Sequence, residues 1–438
     1  MVQKERIEFL NNKSSKKGDY VLYFMQASER VKYNHALSYA VTKANDLKLP
    51  LVVFFGLKIF KNYNLRHYTF MIEGLREIKE SLEKRGIKFI IQIDALEGVI
   101  NLSKNASFLV TDKGYLKEEI LLRKKISKMI DISFVQIESN SIIPVLEASD
   151  KEEYGAFTIR PKILSKLSYY AKEVILEHIL KKSLDIKIES CNLDNINMDI
   201  DNSVYPSNKY KGGYKNALKV LDDFILNKLE FYSERHNDPS LNFQSELSPY
   251  LHFGQISPIE IYLRVKDLNS KEFLEELIVR RELAINFVTY NKNYDNYKSL
   301  PNWAINTFEK HKGDKKDYTY KLEEIENYKT NDVYFNKCQE EMVITGKMHG
   351  YMRMYWAKKI IEWMNYKKAY QVILYLNNKY NLDGTDPSSY TGVAWAFGKH
   401  DRPFKERPIF GIIRYMNSDG LKRKFNMENY LKKDFKND

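Results

Sequence analysis

The feature that most constrains the fold is an alternation of short β-rich runs with amphipathic segments between Tyr20 and about Ile137. The β-rich runs are YVLYFM (20–25), LVVFFGL (51–57), KFIIQI (88–93), FLVTD (108–112) and SFVQI (133–137). Apolar residues recur at helical spacing in the segments between them, Tyr33–Leu47, Thr69–Lys84, Leu96–Lys104 and Lys117–Lys128. This alternation predicts a parallel sheet that is covered by helices and joined by right-handed crossovers.

The pattern changes beyond residue 140, and residues 184–204 are polar and rich in Asn and Asp, as in a linker. Helical patterns then run through Tyr214–Tyr232, Pro258–Leu268, Lys271–Tyr290, Trp303–Lys310, Leu322–Tyr328, Asp332–Thr345, Lys347–Trp363 and Lys368–Lys379. The sequence therefore predicts a Rossmann-like α/β domain over residues 18–140, a linker over 141–210 and a larger all-α domain over 211–438. G-x-G-x-x-G and Walker A sequences are absent, which disfavours a conventional dinucleotide or P-loop site.

Composition narrows the classes of partner. The net charge is +12, which suits a polyanionic partner, although a lysine-rich solvated surface gives the same total. The two cysteines, Cys191 and Cys338, fit a reducing cytoplasm and argue against a disulfide framework or a cysteine-based metal site, so no metal is expected. An apolar span long enough to cross a membrane is absent, so membrane insertion is not expected.

Residues 346–363 (GKMHGYMRMYWAKKIIEW) combine an arginine with two indoles. At helical spacing His349, Arg353, Trp356, Ile360 and Trp363 share one face. A buried arginine needs an anion nearby, because an unpaired buried charge costs several kcal/mol. One interpretation is a core helix whose arginine meets a local carboxylate. The other is a ligand site with Arg353 as a fixed charge.

Two further segments combine polar side chains with turn or helix-start signals. In SELSPYLHFGQISP (245–258), Ser248 before Pro249 can begin a helix whose free amides hold a phosphate, or can be an ordinary helix start. In ELIVRRELAINF (276–287), Glu282 and Asn286 lie four residues apart on one helix face. They can contact one ligand together, or can be a surface pair.

The stretch 376–416 contains turn sequences followed by a basic and aromatic loop. Asn377 and Asp383 are expected where a helix gives way to an ordered loop, and Asp383 is the candidate anion for Arg353. Basic residues alternate there with Phe397, Phe404 and Tyr415, which suits phosphate contacts and base stacking, although a merely solvated loop is the alternative. The basic residues are Lys399, Arg402, Lys405, Arg407 and Arg414.

Taken together, these segments resemble the class II cyclobutane pyrimidine dimer photolyases of the photolyase/cryptochrome family. The resemblance covers nearly the whole chain. It is carried by YFMQASERVKYNHALSYA near the start and by LSPYLHFGQIS, RRELAINF, KMHGYMRMYWAKKIIEW and LDGTDP followed by KERPIFG.

The resemblance implies FAD in the helical domain, active as the reduced anionic form. The implied cofactor-binding residues are Tyr232, Gln244, Ser245, Glu246, Leu247, Ser248, Asn286, Arg353, Asn377, Asp383 and Gly384. Arg353 and Asp383 are expected to form an ion pair beside the isoalloxazine, with Asn377 near its N5. A fixed arginine favours an anionic flavin.

The resemblance also implies that light drives an electron from excited reduced FAD to a flipped-out pyrimidine dimer, which then splits. Glu282, Asn377 and Trp395 are the implied catalytic residues, with Glu282 bonded to the pyrimidine carbonyls. Met354 and Trp395 are expected to line the dimer pocket, and the five basic residues of the loop are expected to hold double-stranded or single-stranded DNA.

Trp356, Trp363 and Tyr355 are the implied electron relay, and two positions depart from the family's pattern. Phe335 stands where the family has another relay tryptophan, and Tyr334 or Tyr355 are the candidate substitutes. His236 stands where an arginine usually contacts DNA, with Arg235 beside it.

The leading hypothesis is therefore a monomeric, cytoplasmic deoxyribodipyrimidine photolyase, associated with the nucleoid if the source is prokaryotic. A cryptochrome-like flavin photoreceptor without repair activity is the alternative, and a flavin-free nucleotide-binding protein is a third hypothesis. Whether a second, antenna chromophore of the deazaflavin type is bound stays open.

Overall fold

The computed structural model describes residues 2–60, 62–196 and 198–436. The described part of the chain contains one six-stranded sheet in the order β1-β6-β5-β2-β3-β4. The strands are β1 (Ile7–Phe9), β2 (Tyr20–Met25), β3 (Leu51–Leu57), β4 (Lys88–Ile93), β5 (Ala106–Asp112) and β6 (Ser133–Ile137). All neighbouring strands pair in parallel except β1, which is antiparallel to β6.

This architecture confirms the predicted α/β class, and four of the five predicted strands begin and end at the predicted residues. The strands β2, β3, β5 and β6 are buried along their whole length, because helices cover both faces of a parallel sheet. The sequence did not predict β1. That strand has only three residues and lies at the edge of the sheet, so no apolar run marks it.

Helices α1 to α4 alternate with the strands, and three short helices follow in the predicted linker. They are α1 (His35–Asp46), α2 (Leu65–Glu83), α3 (Ala95–Ser103), α4 (Lys117–Met129), α5 (Val145–Ala148), α6 (Ala156–Leu164) and α7 (Leu167–Tyr170). The region 141–210 is thus partly helical, and its first part packs on the C-terminal helices.

The rest of the chain is helical, as predicted. Its helices are α8 (Tyr214–Asn227), α9 (Tyr232–Arg235), α10 (Ser248–His252), α11 (Pro258–Val265), α12 (Lys271–Leu274), α13 (Arg281–Tyr290), α14 (Asn302–Lys310), α15 (Leu322–Glu326), α16 (Val333–Thr345), α17 (Gly350–Trp363), α18 (Tyr366–Tyr380), α19 (Pro387–Ala396), α20 (Ser418–Lys424) and α21 (Met427–Leu431). A π-helix, Glu275–Arg280, interrupts the predicted continuous helix over Lys271–Tyr290 and separates α12 from α13. None of the helices in the described ranges is long and apolar enough to cross a membrane.

Arg66 on α2 joins the sheet region to the helical region. Its buried guanidinium donates to the carbonyls of Met342 and Tyr380, at 3.2 and 2.8 Å, near the ends of α16 and α18. A cation is favourable there, because the free carbonyls of a helix C-terminus carry partial negative charge. The neighbouring His67 contacts the carbonyl of Asn381 at 3.1 Å. The N-terminal region therefore holds the loop that follows α18, which carries Asp383.

Candidate functional site

Arg353 on α17 and Asp383 in the loop after α18 form an ion pair. One terminal nitrogen of Arg353 lies 2.8 and 3.0 Å from the two carboxylate oxygens of Asp383. Arg353 also donates to the side-chain oxygen of Asn381 at 3.1 Å and to the carbonyl of Met348 at 3.2 Å. The structure thus brings together the two charges that the sequence proposed as partners.

The electrostatics of this pair keep Asp383 ionised. Burial alone would raise the pKa of Asp383, but the charges of Arg353 and Lys347 outweigh it and leave that pKa lowered. Asn377 lies six residues earlier, buried near the end of α18, and its amide donates to Asn378 at 3.1 Å and also to Ser389. A fixed cation, its counterion and a buried amide are therefore close together.

The stretch from Gln244 to Ser248 reaches the same loop and helix. The Gln244 side chain accepts a hydrogen bond from the backbone nitrogen of Gly350 at 3.3 Å, the first residue of α17. The Ser248 hydroxyl is buried without a hydrogen-bond partner among the described residues. It is close enough to Asp383 to help lower that carboxyl's pKa without reaching hydrogen-bonding geometry. A buried hydroxyl without a partner suits contact with a ligand.

Not every residue of this stretch is free for a ligand. Leu247 is buried in the hydrophobic core and stands at the N-cap of α10. The carboxylate of Glu246 is held by Lys347 and accepts from the Tyr210 hydroxyl at 2.6 Å, and Lys347 and Lys209 lower its pKa against the effect of burial. Glu246 also has a left-handed backbone with φ +58. No side-chain partner of Ser245 is seen in the described part of the chain.

Two glycines differ in what they allow. A Cβ on Gly384 would lie 2.8 Å from the Cα of Asn378, so glycine is needed there for close packing against the end of α18. A Cβ on Gly392 in α19 would meet nothing within 4 Å. Gly392 is exposed and lies one turn before Trp395, so this face of α19 leaves room for a ligand.

The π-helix carries the charged residues nearest to Trp395. The guanidinium of Arg280 lies 5.0 Å from the centre of the half-buried Trp395 ring system. Glu276, one turn earlier, has a carboxylate oxygen 4.0 Å from Arg280, and its negative charge adds to the burial that raises the pKa of Tyr232. The Glu276 side chain is 53% exposed, and desolvation raises its pKa against the opposing charge of Arg280. π-Turns of this kind are frequent at functional sites.

The structure does not support the assignment of Glu282 to a pyrimidine dimer. Glu282 is only 2% exposed, and one of its carboxylate oxygens accepts from the backbone nitrogen of Ile142 at 2.7 Å. Burial raises its pKa to about 8. It faces the segment after β6, whose backbone carbonyls are held by Arg6, and not the side on which Arg280 meets Trp395.

Asn286 is corrected for the same reason. Its amide oxygen accepts from the backbone nitrogen of Glu153 at 2.8 Å, and its amide nitrogen donates to the carbonyl of Lys151 at 2.8 Å. Glu282 and Asn286 do share one helix face, as predicted. In this structure both side chains of that face bond to the chain's own segment 142–153.

The motifs in the sequence did not single out Glu276 and Arg280. They lie four residues apart in EELIVRRE (275–282), and the sequence does not show which of the three glutamates of this segment contacts a substrate. Their spacing could have suggested a pair on one helix face, but only the structure shows that Arg280 stacks on Trp395.

The predicted cofactor residue Tyr232 packs against His236, one of the two residues that depart from the family's pattern. The ring of His236 stacks on Tyr232 at 4.4 Å, and its Nδ1 contacts the Tyr232 carbonyl at 2.5 Å. The exposed Arg235 lies 4.4 Å from the centre of the Phe231 ring. His236 is therefore held in place, and Arg235 is the accessible cation.

Four of the five predicted DNA-binding cations are exposed, namely Arg402, Lys405, Arg407 and Arg414. Arg414 is already paired with Asp401, at 3.0 and 3.3 Å. Lys399 is a correction, because its ammonium forms an ion pair with Glu152 and donates to the carbonyl of Ser299 at 3.2 Å, and its side chain is only 13% exposed. Lys399 thus anchors the loop to the segment before α6.

Met354 follows Arg353 on α17 and lines a cavity of about 360 Å³. Lys405, Arg407 and Arg414 line the same cavity, and so do Lys424 and the aromatic residues Tyr351, Phe404 and Tyr415. Cations with aromatic rings suit a phosphate and a base. Consecutive residues of one helix therefore connect the Asp383 ion pair with the cationic surface.

The predicted relay residues form an aromatic series with Phe335 inside it. The Phe335 ring centre lies 6.4 Å from Trp356 and 4.7 Å from Trp363. Tyr320 contacts Trp363 at 4.8 Å and stacks with Tyr318 at 6.4 Å, whose side chain is 50% exposed. The series thus reaches the surface, but a phenylalanine lies between its two tryptophans.

Tyr355 is buried on the same helix. Its hydroxyl donates to Asp332 at 2.5 Å, and burial raises its pKa. Oxidation of a tyrosine needs a proton acceptor, which Asp332 provides.

A larger cavity of about 560 Å³ lies between the sheet and the helical region. It is bounded by Gln26 and Ala27 after β2, and by Leu116 and Lys117 after β5. The neighbouring strands β2 and β5 are parallel and end at the same edge, but the chain continues from them to opposite sides of the sheet, towards β3 and β6, and open α/β sheets bind ligands at such a point. Glu29 also lines the cavity, and one of its carboxyl oxygens is buried without a hydrogen-bond partner among the described residues. Burial raises the pKa of Glu29, which favours the protonated carboxyl, and that form can donate a hydrogen bond.

Known proteins resemble this chain over nearly its whole length. A family model described as DNA photolyase matches residues 21–174. A protein from Methanothermobacter thermautotrophicus named deoxyribodipyrimidine photo-lyase is 46% identical over 441 residues, which cover 98% of each chain.

Solved structures share the fold. An archaeal photolyase from Sulfolobus tokodaii that holds two FAD molecules is 18% identical, with a TM-score of 0.73, and the match covers 94% of this chain and 89% of that one. A cryptochrome from Synechocystis is 16% identical with a TM-score of 0.75, covering 94% and 87%. Both likenesses concern the fold alone.

Proposed function

Because the chain belongs to the DNA photolyase family, we propose that it repairs cyclobutane pyrimidine dimers in DNA by light-driven electron transfer, as a class II enzyme. One observation carries the proposal. Arg353 and Met354, consecutive on α17, face the Asp383 carboxylate and the cation-lined cavity respectively. A charge site for a redox cofactor and a surface for a polyanion thus lie next to each other.

The residues present fit FAD. The Arg353–Asp383 pair, the buried Asn377 amide, the unpartnered Ser248 hydroxyl and the open face at Gly392 provide charge, polar contacts and space. Bound FAD, in its reduced anionic form, supplies the light-excited electron. Arg353 favours that negative charge, and the lowered pKa of Asp383 keeps the counterion that orients Arg353 ionised.

Within the dimer site we assign to Glu276 the role that the family resemblance implies for Glu282. Its raised pKa leaves the carboxyl protonated more often than usual, and a protonated carboxyl can donate to a pyrimidine carbonyl oxygen. A donor at that oxygen stabilises negative charge on the dimer. Trp395 provides the apolar face for the flipped-out bases, which are poorly stacked in a damaged duplex.

The exposed cations of the loop after α19 hold the DNA backbone in this proposal. Arg402, Lys405 and Arg407 are exposed, and each neutralised phosphate releases counterions. The enzyme is expected to act as a cytoplasmic monomer, near the nucleoid in a prokaryote.

The 560 Å³ cavity at the sheet edge is our candidate site for an antenna chromophore. One buried carboxyl oxygen of Glu29 has no hydrogen-bond partner among the described residues, and a polar aromatic chromophore such as a deazaflavin would provide one. Absorption from such a molecule would add a near-ultraviolet or blue band to the flavin spectrum.

Repair of an oligonucleotide with one thymine dimer tests the proposal. Purified, reduced protein should restore the thymines under blue light and leave them dimerised in the dark. A protein that contains flavin and binds the oligonucleotide, but restores no thymine in light, would instead be a cryptochrome-like photoreceptor. The Synechocystis cryptochrome has the same fold, so the fold does not separate these two functions.

A further inference from the structure

Arg280 covers the face of Trp395. Its guanidinium lies 5.0 Å from the centre of the indole, and the Arg280 side chain is 30% exposed. Under the proposed function, Trp395 is the surface against which the dimer packs. A cation therefore occupies part of the site that an uncharged substrate has to reach.

The contacts that hold Arg280 are weak. Its Nε atom is buried without a hydrogen-bond partner in the described ranges, and it lies 3.5 Å from Glu275 and 4.0 Å from Glu276. Glu275 is already bonded to Arg160 through both carboxylate oxygens, at 2.9 and 2.7 Å. Stacking on the indole is thus the main fixed contact of the Arg280 guanidinium.

The chemistry of the guanidinium gives it an alternative partner. Arginine stays charged and presents a planar fork of donors. Two fused pyrimidines present neighbouring carbonyl oxygens at one edge, which is the kind of acceptor pair that such a fork matches. Because Glu275 and Glu276 lie on the same helical turn as Arg280, they remain close to it when the side chain swings.

We propose that Arg280 is a movable cover of the dimer site, which shields Trp395 in the free protein and then exchanges the indole for hydrogen bonds to the dimer's carbonyl oxygens. This inference rests on the proposed function. It makes Arg280 a residue that distinguishes dimers from undamaged bases. An undamaged flipped base offers no fused pair of carbonyls, so the exchange would then be incomplete.

Binding in the dark tests the inference without the photoreaction. Fluorescence anisotropy measures the Kd of the holoprotein for an oligonucleotide with one thymine dimer and for the same undamaged oligonucleotide, at several salt concentrations. We expect R280Q to lower the ratio of the two affinities by about tenfold, the equivalent of one charge-assisted hydrogen bond. The affinity for undamaged DNA and its salt slope should stay unchanged. R280K, which keeps the charge but loses the planar fork, should lie between R280Q and the wild type.

R402Q is the matched control, because Arg402 is an exposed arginine assigned to the DNA backbone. It should weaken both oligonucleotides equally and reduce the salt slope by about one. If R280Q behaves like R402Q, Arg280 is a phosphate contact and the inference is wrong. An unchanged affinity ratio in a folded R280Q protein overturns it as well.

Thermal unfolding shows whether each variant is folded. If R280Q does not fold, the affinity ratio of R280K tests the inference in its place. Light-driven repair by the wild type separates the two proposals. A wild type that repairs dimers while the R280 variants keep its affinity ratio overturns only the role of Arg280. A wild type that does not prefer damaged DNA overturns the proposed function and the cover together.

Discussion

Replacement of Asp383 by asparagine tests the central ion pair. The variant D383N keeps the shape of the side chain but leaves Arg353 without its anion. Removing one partner of a buried pair costs about 3–5 kcal/mol. The Arg353 side chain is 25% exposed and keeps its bonds to Asn381 and Met348, so we expect a smaller loss, about 2–3 kcal/mol.

Thermal unfolding of the holoprotein measures this loss. A change of 1 kcal/mol shifts the Tm of a 150–250-residue domain by about 2–4 °C, so D383N should melt roughly 4–12 °C lower. The flavin content after purification should fall too, because Arg353 loses its orientation. The lowered pKa of Asp383 means that its contribution is fully present above its unfolded pKa and is lost as the pH falls through the folded value. The difference between D383N and the wild type should therefore persist from neutral pH down to about pH 4.

A double-mutant cycle with R353M supplies the refutation. If Arg353 and Asp383 act as one unit, the double variant loses less than the sum of the two single losses, by about 1–2 kcal/mol. Losses that add within about 0.5 kcal/mol would show that the two charges act independently, and the assignment of Arg353 as a charge oriented by Asp383 would then be wrong.

Three further predictions concern other parts of the molecule. F335W should speed light-driven reduction of the bound flavin by an external thiol, because an oxidisable indole would then lie between Trp356 and Trp363. The flavin absorption spectrum measures the rate. An unchanged rate would show that Phe335 does not interrupt the electron relay. E29L should remove any absorption band beyond those of flavin, whereas E29Q should retain it, because glutamine keeps a hydrogen-bond donor. Retention of the band in both variants would exclude Glu29 from the antenna site. E282Q should leave repair unchanged and flatten the pH dependence of stability. The folded pKa of Glu282, about 8, exceeds the unfolded value of 4.5, so the free energy of unfolding of the wild type falls as the pH rises between these two values. The fall is at most about 1.4 kcal/mol per pH unit. An equal pH dependence of the wild type and E282Q in urea unfolding would contradict this.

The sheet was predictable because its strands are buried on both faces. A strand such as Leu51–Leu57 contains only apolar residues and glycine, and polar residues or a proline mark its ends. The edge strand Ile7–Phe9 needs no such run, so its sequence does not distinguish it from a loop. The π-helix at Glu275–Arg280 was equally hidden, because EELIVR is compatible with a regular helix and only tertiary packing widens the turn.

The ion pair of the site was predictable, whereas the direction of each polar side chain was not. Arg353 lies on an otherwise buried helix, so it required a carboxylate, and the turn at Asp383 offered one. Lys399 belongs to a basic run that suits DNA, but in the structure it pairs with Glu152, which lies 247 residues earlier in the chain. No local sequence pattern predicts a pairing at that distance.

Glu276 and Glu282 show why a perturbed carboxyl alone does not identify a site. Burial raises the pKa of both residues, and both lie on one helical stretch. Glu282 is 2% exposed, and its carboxylate accepts a hydrogen bond from the backbone nitrogen of Ile142, which fixes the segment between the sheet and the helices. Glu276 is 53% exposed beside Arg280, where a substrate can reach it. A raised pKa marks a functional carboxyl only where access accompanies it. In this protein Glu276 on the π-helix has that access, since it lies exposed beside Arg280, which stacks on Trp395, whereas Glu282 is bonded to the segment at Ile142.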